Sequence, residues 1–469
     1  MANNRKIRYI INTVLGAVLL AGAVTAGVFL LRGGEDTPPT EQSTGDSQSH
    51  EGGIAYEIVA DNIEGDLQTK FEGPDDVPSM ASFSGTLLAA ENGWYYYEQG
   101  VGVQYRDAAT GESVVVCARP ECTHDNEYCA ANNSRYIGRP AVYYDGYLYG
   151  ISGDREKTDH EPEKNEEIVW FSGSGDVLLM RYAPDGTALD KLVSLSDALP
   201  DAIDHHVSFV SAEIIGHKGA LWISVGFERT CMMAQDRDSV DRQKGYALFH
   251  YDLSAEKLST VFYMPLAKDA DPFAPAELRG MGDYVYFRKI NCEWEDPLNG
   301  NRVYRVNIRT GAIEKVIGND VFTTYAASGS RILYLKEKVT ADTNSARMQL
   351  MLFDLQTGES RLFLGEEDYV TALQCTEEYV LVTMRGAWES IRIYDYDGRL
   401  LQTLPALDMT AFVPDGTNRT DIKVNGDTLY GIVYGVVGGR SVYTMSLAAA
   451  LEGSGQWQLV LEDSSELLY

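Results

Sequence analysis

Seven times between residues 91 and 448 the chain repeats one two-part pattern, and that repetition narrows the choice of fold more than any other feature. The first part is a turn of Gly, Asn, Asp or Glu followed by an aromatic, β-branched strand. It reads ENGWYYYE at Glu91, YDGYLYGI at Tyr144, HKGALWIS at His217, MGDYVYFR at Met281, SGSRILYLK at Ser328, TEEYVLVT at Thr376 and NGDTLYGI at Asn425. The second part is a strand ending in a polar turn: VQYRDAATG at Val103, LLMRYAPDG at Leu178, LFHYDLSAE at Leu248, VYRVNIRTG at Val303, LMLFDLQTG at Leu350, IRIYDYDG at Ile391 and a weaker SVYTMSLA at Ser441. A further strand usually follows the second turn, as at 112–116, 312–316 and 360–364.

Short runs of alternating apolar and polar residues between turns read as strands, and no segment after Leu31 carries a helical period. Four strands per repeat match a propeller blade, whose sheets bury a core by stacking on their neighbours. The expected fold is all-β, a seven-bladed β-propeller with six or eight blades as the margin. A plain β-sandwich does not account for seven copies of one signature.

The segment before the repeats points to a membrane. Arg5, Lys6 and Arg8 precede Tyr9–Leu31, a 23-residue run without charge. As a helix at ~1.5 Å per residue it spans roughly 34 Å, enough to cross a bilayer. The expected organisation is a cytoplasmic basic tail (1–8), a transmembrane anchor (9–31), a flexible linker (32–53) and an extracytoplasmic propeller (54–469), making a single-pass membrane protein with its bulk outside the cell. A cleaved signal peptide, cut after Val24-Thr25-Ala26, is the competing reading, and the length of the apolar run favours the anchor.

Charge excludes one class of partner. Lys and Arg total 39 against 69 Asp and Glu, and four of the basic residues lie before Gly33 in a stretch without acids, leaving 35 against 69 for the rest. So acidic a surface repels phosphate backbones, so nucleic acid is not an expected partner.

Labelling the strands of each blade A to D outward from the axis puts the A–B and C–D turns on one face. The B–C loops and the links to the next blade then fall on the other. Insertions occupy the B–C positions of blade 2 (152–176), blade 3 (226–245) and blade 4 (289–302), where long loops on a rigid scaffold serve binding. Trp170, Arg229 and Trp294 are the candidate residues of this binding face.

Three of six cysteines and one of seven histidines fall in Cys117-Ala-Arg-Pro-Glu-Cys122-Thr-His124-Asp-Asn-Glu-Tyr-Cys129, the link from blade 1 to blade 2. An extracytoplasmic location permits disulfides, and Cys117–Cys122 or Cys122–Cys129 would close a small loop. Three thiolates and an imidazole also make a tetrahedral zinc set, although C-x4-C-x-H-x4-C is neither a knuckle nor a ribbon spacing. Cys122 and His124, two apart, would point the same way in an extended chain. A disulfide ranks first and a structural zinc second; apart from that zinc no cofactor is expected. Redox catalysis lacks its C-x-x-C, and a fourth reading leaves the residues buried and inert.

The membrane segment, the Asp-Gly-aromatic blades and the motif formed by Cys117, Pro120, Cys122, His124, Cys129 and Ala130 together resemble a group of uncharacterised surface β-propeller proteins of Gram-positive, clostridial-type anaerobes. Many of those resemble lipoproteins, whereas this chain has no cysteine before Cys117. The resemblance implies fold and location and carries no activity.

No G-x-S-x-G elbow, H-E-x-x-H, P-loop or G-x-G-x-x-G site occurs. The expected function is therefore a binding module for an envelope protein, peptide or glycan rather than an enzyme. The rival is an extracellular hydrolase or lyase with carboxylates at the propeller axis, whose mark would be paired carboxylates converging at the axial mouth.

Overall fold

Each turn-plus-strand unit in the sequence becomes a strand pair. The computed structural model describes residues 56–60, 87–98, 102–124, 129, 131, 141–153, 177–199, 205–231, 242–266, 277–289, 302–317, 322–338, 347–365, 370–384, 390–405, 407, 419–434 and 440–463. Among them the strands form seven sheets, each an antiparallel A-to-D meander in chain order. The fold is a seven-bladed β-propeller. The A strands are Leu87–Ala90, Ala141–Tyr144, His205–His217, Arg279–Met281, Phe322–Ser328, Val370–Cys375 and Arg419–Asn425.

The polar C–D turns have a common cause. In blades 1, 4 and 5 the side-chain oxygen of Asp107, Asn307 or Asp354 accepts from the backbone N–H groups two and three residues on, at 2.7–3.2 Å. This Asx geometry closes the hairpin without a tertiary partner. Blade 7 departs from the pattern. Its C–D connection is a one-turn helix, α1 (Leu447–Leu451), capped by Ser446 Oγ accepting from Ala449 N.

The core lies between blades rather than within them. Seven clusters of buried apolar residues are described, one for each seam. One example joins blades 2 and 3 through Tyr149, Ile151, Leu179, Ile214, Leu221 and Ile223. Blade 1 takes all four strands from the start of the described ring and blade 7 all four from its end, so no strand is exchanged where the ring closes. Trp94 and Tyr96 pack there against Tyr430, Ile432, Val442 and Leu461. The A–B turns add polar ties: Tyr144 Oη accepts from Gly219 N at 2.8 Å, His217 Nε2 meets Gly282 O at 2.9 Å, and Ser328 Oγ donates to Thr376 O at 2.7 Å.

Two features differ from expectation. A strand at Glu57–Ala60 pairs in parallel with the D strand of blade 4 (Ala312–Ile317), giving that sheet a fifth strand. The supposed insertion of blade 3 is in large part strand: its four strands have 13, 12, 11 and 10 residues, and the B–C pairing runs out to Thr230 opposite Arg242. The backbone pairing continues from Phe227 opposite Gly245 to Thr230 opposite Arg242, so the ladder does not stop at Gly226. Strands of the other blades have three to eight residues. The expected tail, anchor and linker (1–53) lie outside the described residues, among which no helix is long and apolar enough to cross a membrane.

Candidate metal centre

The cysteine link begins where the short D strand of blade 1 (Ser113–Val115) ends. Val116 N still donates to Val103 O at 2.9 Å, and Cys117 N turns back onto Val115 O at 2.8 Å. Pro120 then occupies the second position of a β-turn closed by Cys122 N donating to Arg119 O at 3.1 Å, the position for which its fixed φ is suited. That turn returns Cys122 toward Cys117. His124 follows with φ of 60°, a left-handed conformation uncommon outside glycine. Cys122 and His124 therefore converge through a left-handed turn and not through the extended geometry expected from their spacing. His124 Nδ1 lies 3.4 Å from Cys129 Sγ, and Cys129 is fully buried.

One ligand atom each from Cys117, Cys122, His124 and Cys129 lies within 4.8 Å of all the others. Tetrahedral zinc with Zn–S of ~2.3 Å and Zn–N of ~2.0 Å has donor–donor edges of roughly 3.5–3.8 Å. The donors are thus gathered to within about 1 Å of that arrangement, and the donor set is one zinc accepts. Cys117, Cys122, Cys129 and Cys375 are free thiols.

Strand alternation assigned this link to the insertion-bearing face. Its first residues pack into the seam with blade 2. A Cβ added to Gly186, in the C–D turn of blade 2 at φ of +72°, would stand 2.6 Å from Val116 O and 2.8 Å from Cys117 Cα. At the far end of the link Ala131 is buried against Gly102, at the start of the C strand of blade 1. The cluster is pinned at both ends.

The remaining candidates are dispersed. Arg229 lies in the B strand of blade 3 (Ala220–Cys231), opposite Val207 and Gln243, toward the B–C end of that long strand. Trp170 and Trp294 lie outside the described residues. Cys375 is buried, donates to Ala327 O at 3.3 Å, and has its thiol pushed up to about 12 by burial. That is an inert core thiol.

A second polar group, missed from the sequence, lies along the A strands. Glu213, Glu277, Arg279 and Arg288 are all buried. Glu213 Oε2 accepts from Leu278 N at 2.9 Å, and its Oε1 is 3.8 Å from Arg279 Nη1. Glu277 Oε2 accepts from Tyr325 N at 3.3 Å and is 3.6 Å from Arg288 Nε. Arg279 donates to Leu278 O at 2.8 Å and to Tyr325 O at 3.1 Å. Burial pushes the Glu213 carboxyl up; Arg279 and the Leu278 N–H pull it back, and Glu277 adds to the rise. Glu213, Glu277 and Arg279 reach forward to the next blade, stitching blade 3 to 4 and 4 to 5, whereas Arg288, on the B strand of blade 4 (Tyr284–Lys289), faces Glu277 within its own blade. The available signal was a lone charge in an otherwise apolar inner strand, as in SAEIIG.

No protein-family profile matches the chain, and no curated protein matches it. Among solved structures it is similar to a prolyl endopeptidase (11% identity, 68% of this chain and 49% of that one, TM-score 0.35). It is also similar to the β-propeller domain of the trilobed protease from Pyrococcus furiosus (9%, 85% and 98%, 0.45) and to TolB from Acinetobacter baumannii (11%, 87% and 93%, 0.32). The chain spans about half the length of the prolyl endopeptidase.

Proposed function

We propose that this chain is a membrane-anchored, outward-facing propeller that binds an envelope protein, peptide or glycan, and that Cys117, Cys122, His124 and Cys129 hold one structural zinc ion. The observation that carries the binding reading is the sheet of blade 3. Its strands exceed those of the other blades by several residues, which at ~3.3 Å each raises a wall roughly 15 Å high where the B–C insertions emerge. The charge-free run Tyr9–Leu31 supports the anchor, and the likeness to clostridial surface propellers supports the location.

The axial carboxylates speak against the hydrolase or lyase. Glu213 and Glu277 are 4% and 6% exposed, and each is tied to a guanidinium and a backbone N–H. A carboxylate pair that cleaves a glycosidic bond must instead meet the substrate on both sides.

The test of binding replaces residues 228–244 in the full chain with an Asn-Gly turn. Loss of envelope-ligand capture with an unchanged melting temperature is expected; full retention removes the blade 3 wall as the binding surface. Envelope polysaccharide cleavage by the wild type, abolished in Glu213→Gln, would establish the enzyme instead. Elemental analysis of reduced, zinc-loaded chain should find one zinc per chain, lost in Cys129→Ser.

A further inference from the structure

We propose that Cys117 and Cys122 form a thiol-modification site at which a small-molecule disulfide oxidises the pair and releases the zinc. This rests on the zinc reading above and names the chemistry that regulates the same site. Three observations carry it.

The first is proximity. The sulfurs of Cys117 and Cys122 belong to a set within 4.8 Å, and the β-turn over Arg119–Cys122 reverses the chain between them. Bonding them needs a local adjustment and no refolding of either blade. The second is access. Cys117 and Cys122 are partly exposed, whereas Cys129 is fully buried and lies 3.4 Å from His124. Thiol–disulfide exchange requires an accessible sulfur, so the oxidant meets the first two and not the third. The third is arithmetic. Three sulfurs cannot all pair, so oxidation leaves Cys129 with His124, a two-donor remnant that does not complete a zinc site.

The chemistry balances in two exchanges. The thiolate of Cys117 or Cys122 attacks one sulfur of the oxidant, R–S–S–R. The oxidant's S–S bond breaks and RS⁻ leaves. The other cysteine thiolate then attacks the mixed disulfide at the protein sulfur, forming Cys117–Cys122 and expelling the second RS⁻. Two electrons pass from the cysteine pair to the oxidant disulfide. Zn²⁺ departs unreduced, and the Cys129 thiolate takes a proton from solvent.

The reading-out element is the seam. Cys117 Cα lies beneath the Gly186 turn of blade 2, and Ala131 fixes the other end of the link to blade 1. A change of covalent state between them alters how firmly the two blades are joined.

The experiment uses the full chain, reduced and loaded with zinc, then titrated with oxidised glutathione. Zinc release is followed with a chromogenic chelator and disulfides by peptide mass spectrometry covering all six cysteines. One zinc released per Cys117–Cys122 disulfide is expected, with zinc rebinding after dithiothreitol. Cys117→Ser and Cys122→Ser should stop at the mixed disulfide with glutathione, and Cys375→Ser should behave as wild type. If the reduced chain takes up no zinc, both the zinc reading and this inference fall. If it binds zinc but keeps it through excess oxidant, or if the disulfide formed includes Cys129, the inference alone is overturned. The wild-type map decides this even where a serine variant fails to fold.

Discussion

Replacing Arg279 with Met tests whether the axial charges are stitches between blades. Arg279 is 2% exposed and donates to two backbone carbonyls, Leu278 O and Tyr325 O, while Nη1 faces Glu213 Oε1 at 3.8 Å. The last separation is too long for a good hydrogen bond, so that contact is mainly Coulombic, about 4 kcal/mol at an effective dielectric of ~20. Met fills similar space but leaves Glu213 buried without its nearest cation, a change that costs about 3–5 kcal/mol. Glu213→Gln alone keeps both carbonyl contacts of Arg279 and should cost roughly 1–2 kcal/mol. The double variant removes the stranded charge and should recover roughly 2 kcal/mol relative to Arg279→Met. Urea unfolding followed by tryptophan fluorescence reads all four proteins, since Trp94 and Trp222 are buried. The pH dependence supplies an independent check. The folded-state pKa of Glu213 is raised, so its protonated form stabilises the fold at low pH and that stability is lost as pH rises through the folded value. Removing Arg279 takes away a group that lowers this pKa, so the Met variant should lose more stability than the wild type as pH rises above the ordinary carboxylate range, and Glu213→Gln should flatten the profile. A deficit under ~1 kcal/mol for Arg279→Met, or a double variant no better than the sum of the singles, would refute the stitch.

Gly186→Ala forces a Cβ to within 2.6 Å of Val116 O at φ of +72°, so it should destabilise by roughly 1–3 kcal/mol and raise amide exchange at Val116 and Cys117 first. Trp94→Ala opens the seam where the ring closes without strand exchange; a loss of roughly 3–5 kcal/mol in chemical denaturation is expected, with blades 1 and 7 exchanging ahead of the others. Cys375 should resist thiol reagents until the chain unfolds, because burial holds its thiol at about 12; native-state labelling as fast as that of Cys117 would contradict this.

The blades were legible because each repeats a local device, a turn residue at a fixed place beside an alternating strand, and such devices need no tertiary information. The fifth strand on blade 4 was not. Glu57-Ile-Val-Ala is four residues without a flanking signature, and its pairing with Ala312–Glu314 is a long-range choice. The length of blade 3 was hidden by charge: Glu228, Arg229 and Lys244 read as loop, yet they continue the ladder, with Glu228 opposite Lys244. At the cysteine link, spacing identified the four donors but not how they meet. The turn at Pro120 follows a rule visible in sequence, whereas nothing in Thr123-His124-Asp125 dictates a positive φ. Glu213 and Arg279 were readable only as isolated charges, since their partners come from the next blade.

A ring that closes without exchanging a strand is as stable as its seams, and the described ties are unevenly placed. Blades 3, 4 and 5 are stitched at the axis by Glu213, Arg279 and Glu277, and the outer edge of blade 4 is covered by the strand at Glu57–Ala60. Covering that edge removes a row of unpaired backbone groups that would otherwise invite another strand. Blade 1 has no such axial tie among the described residues. It has packed seams with blades 7 and 2 and a covalent link to blade 2, and that link is the one carrying Cys117, Cys122, His124 and Cys129. Local unfolding begins where buried contacts are fewest, and a chain end is where a ring can peel. A zinc ion in that link would restrain the first blade where the axial stitches do not reach. Its removal should then raise amide exchange throughout blade 1 while leaving blades 3 to 5 protected. Equal exchange across the ring after chelation would mean that the cluster restrains its own loop and nothing beyond it.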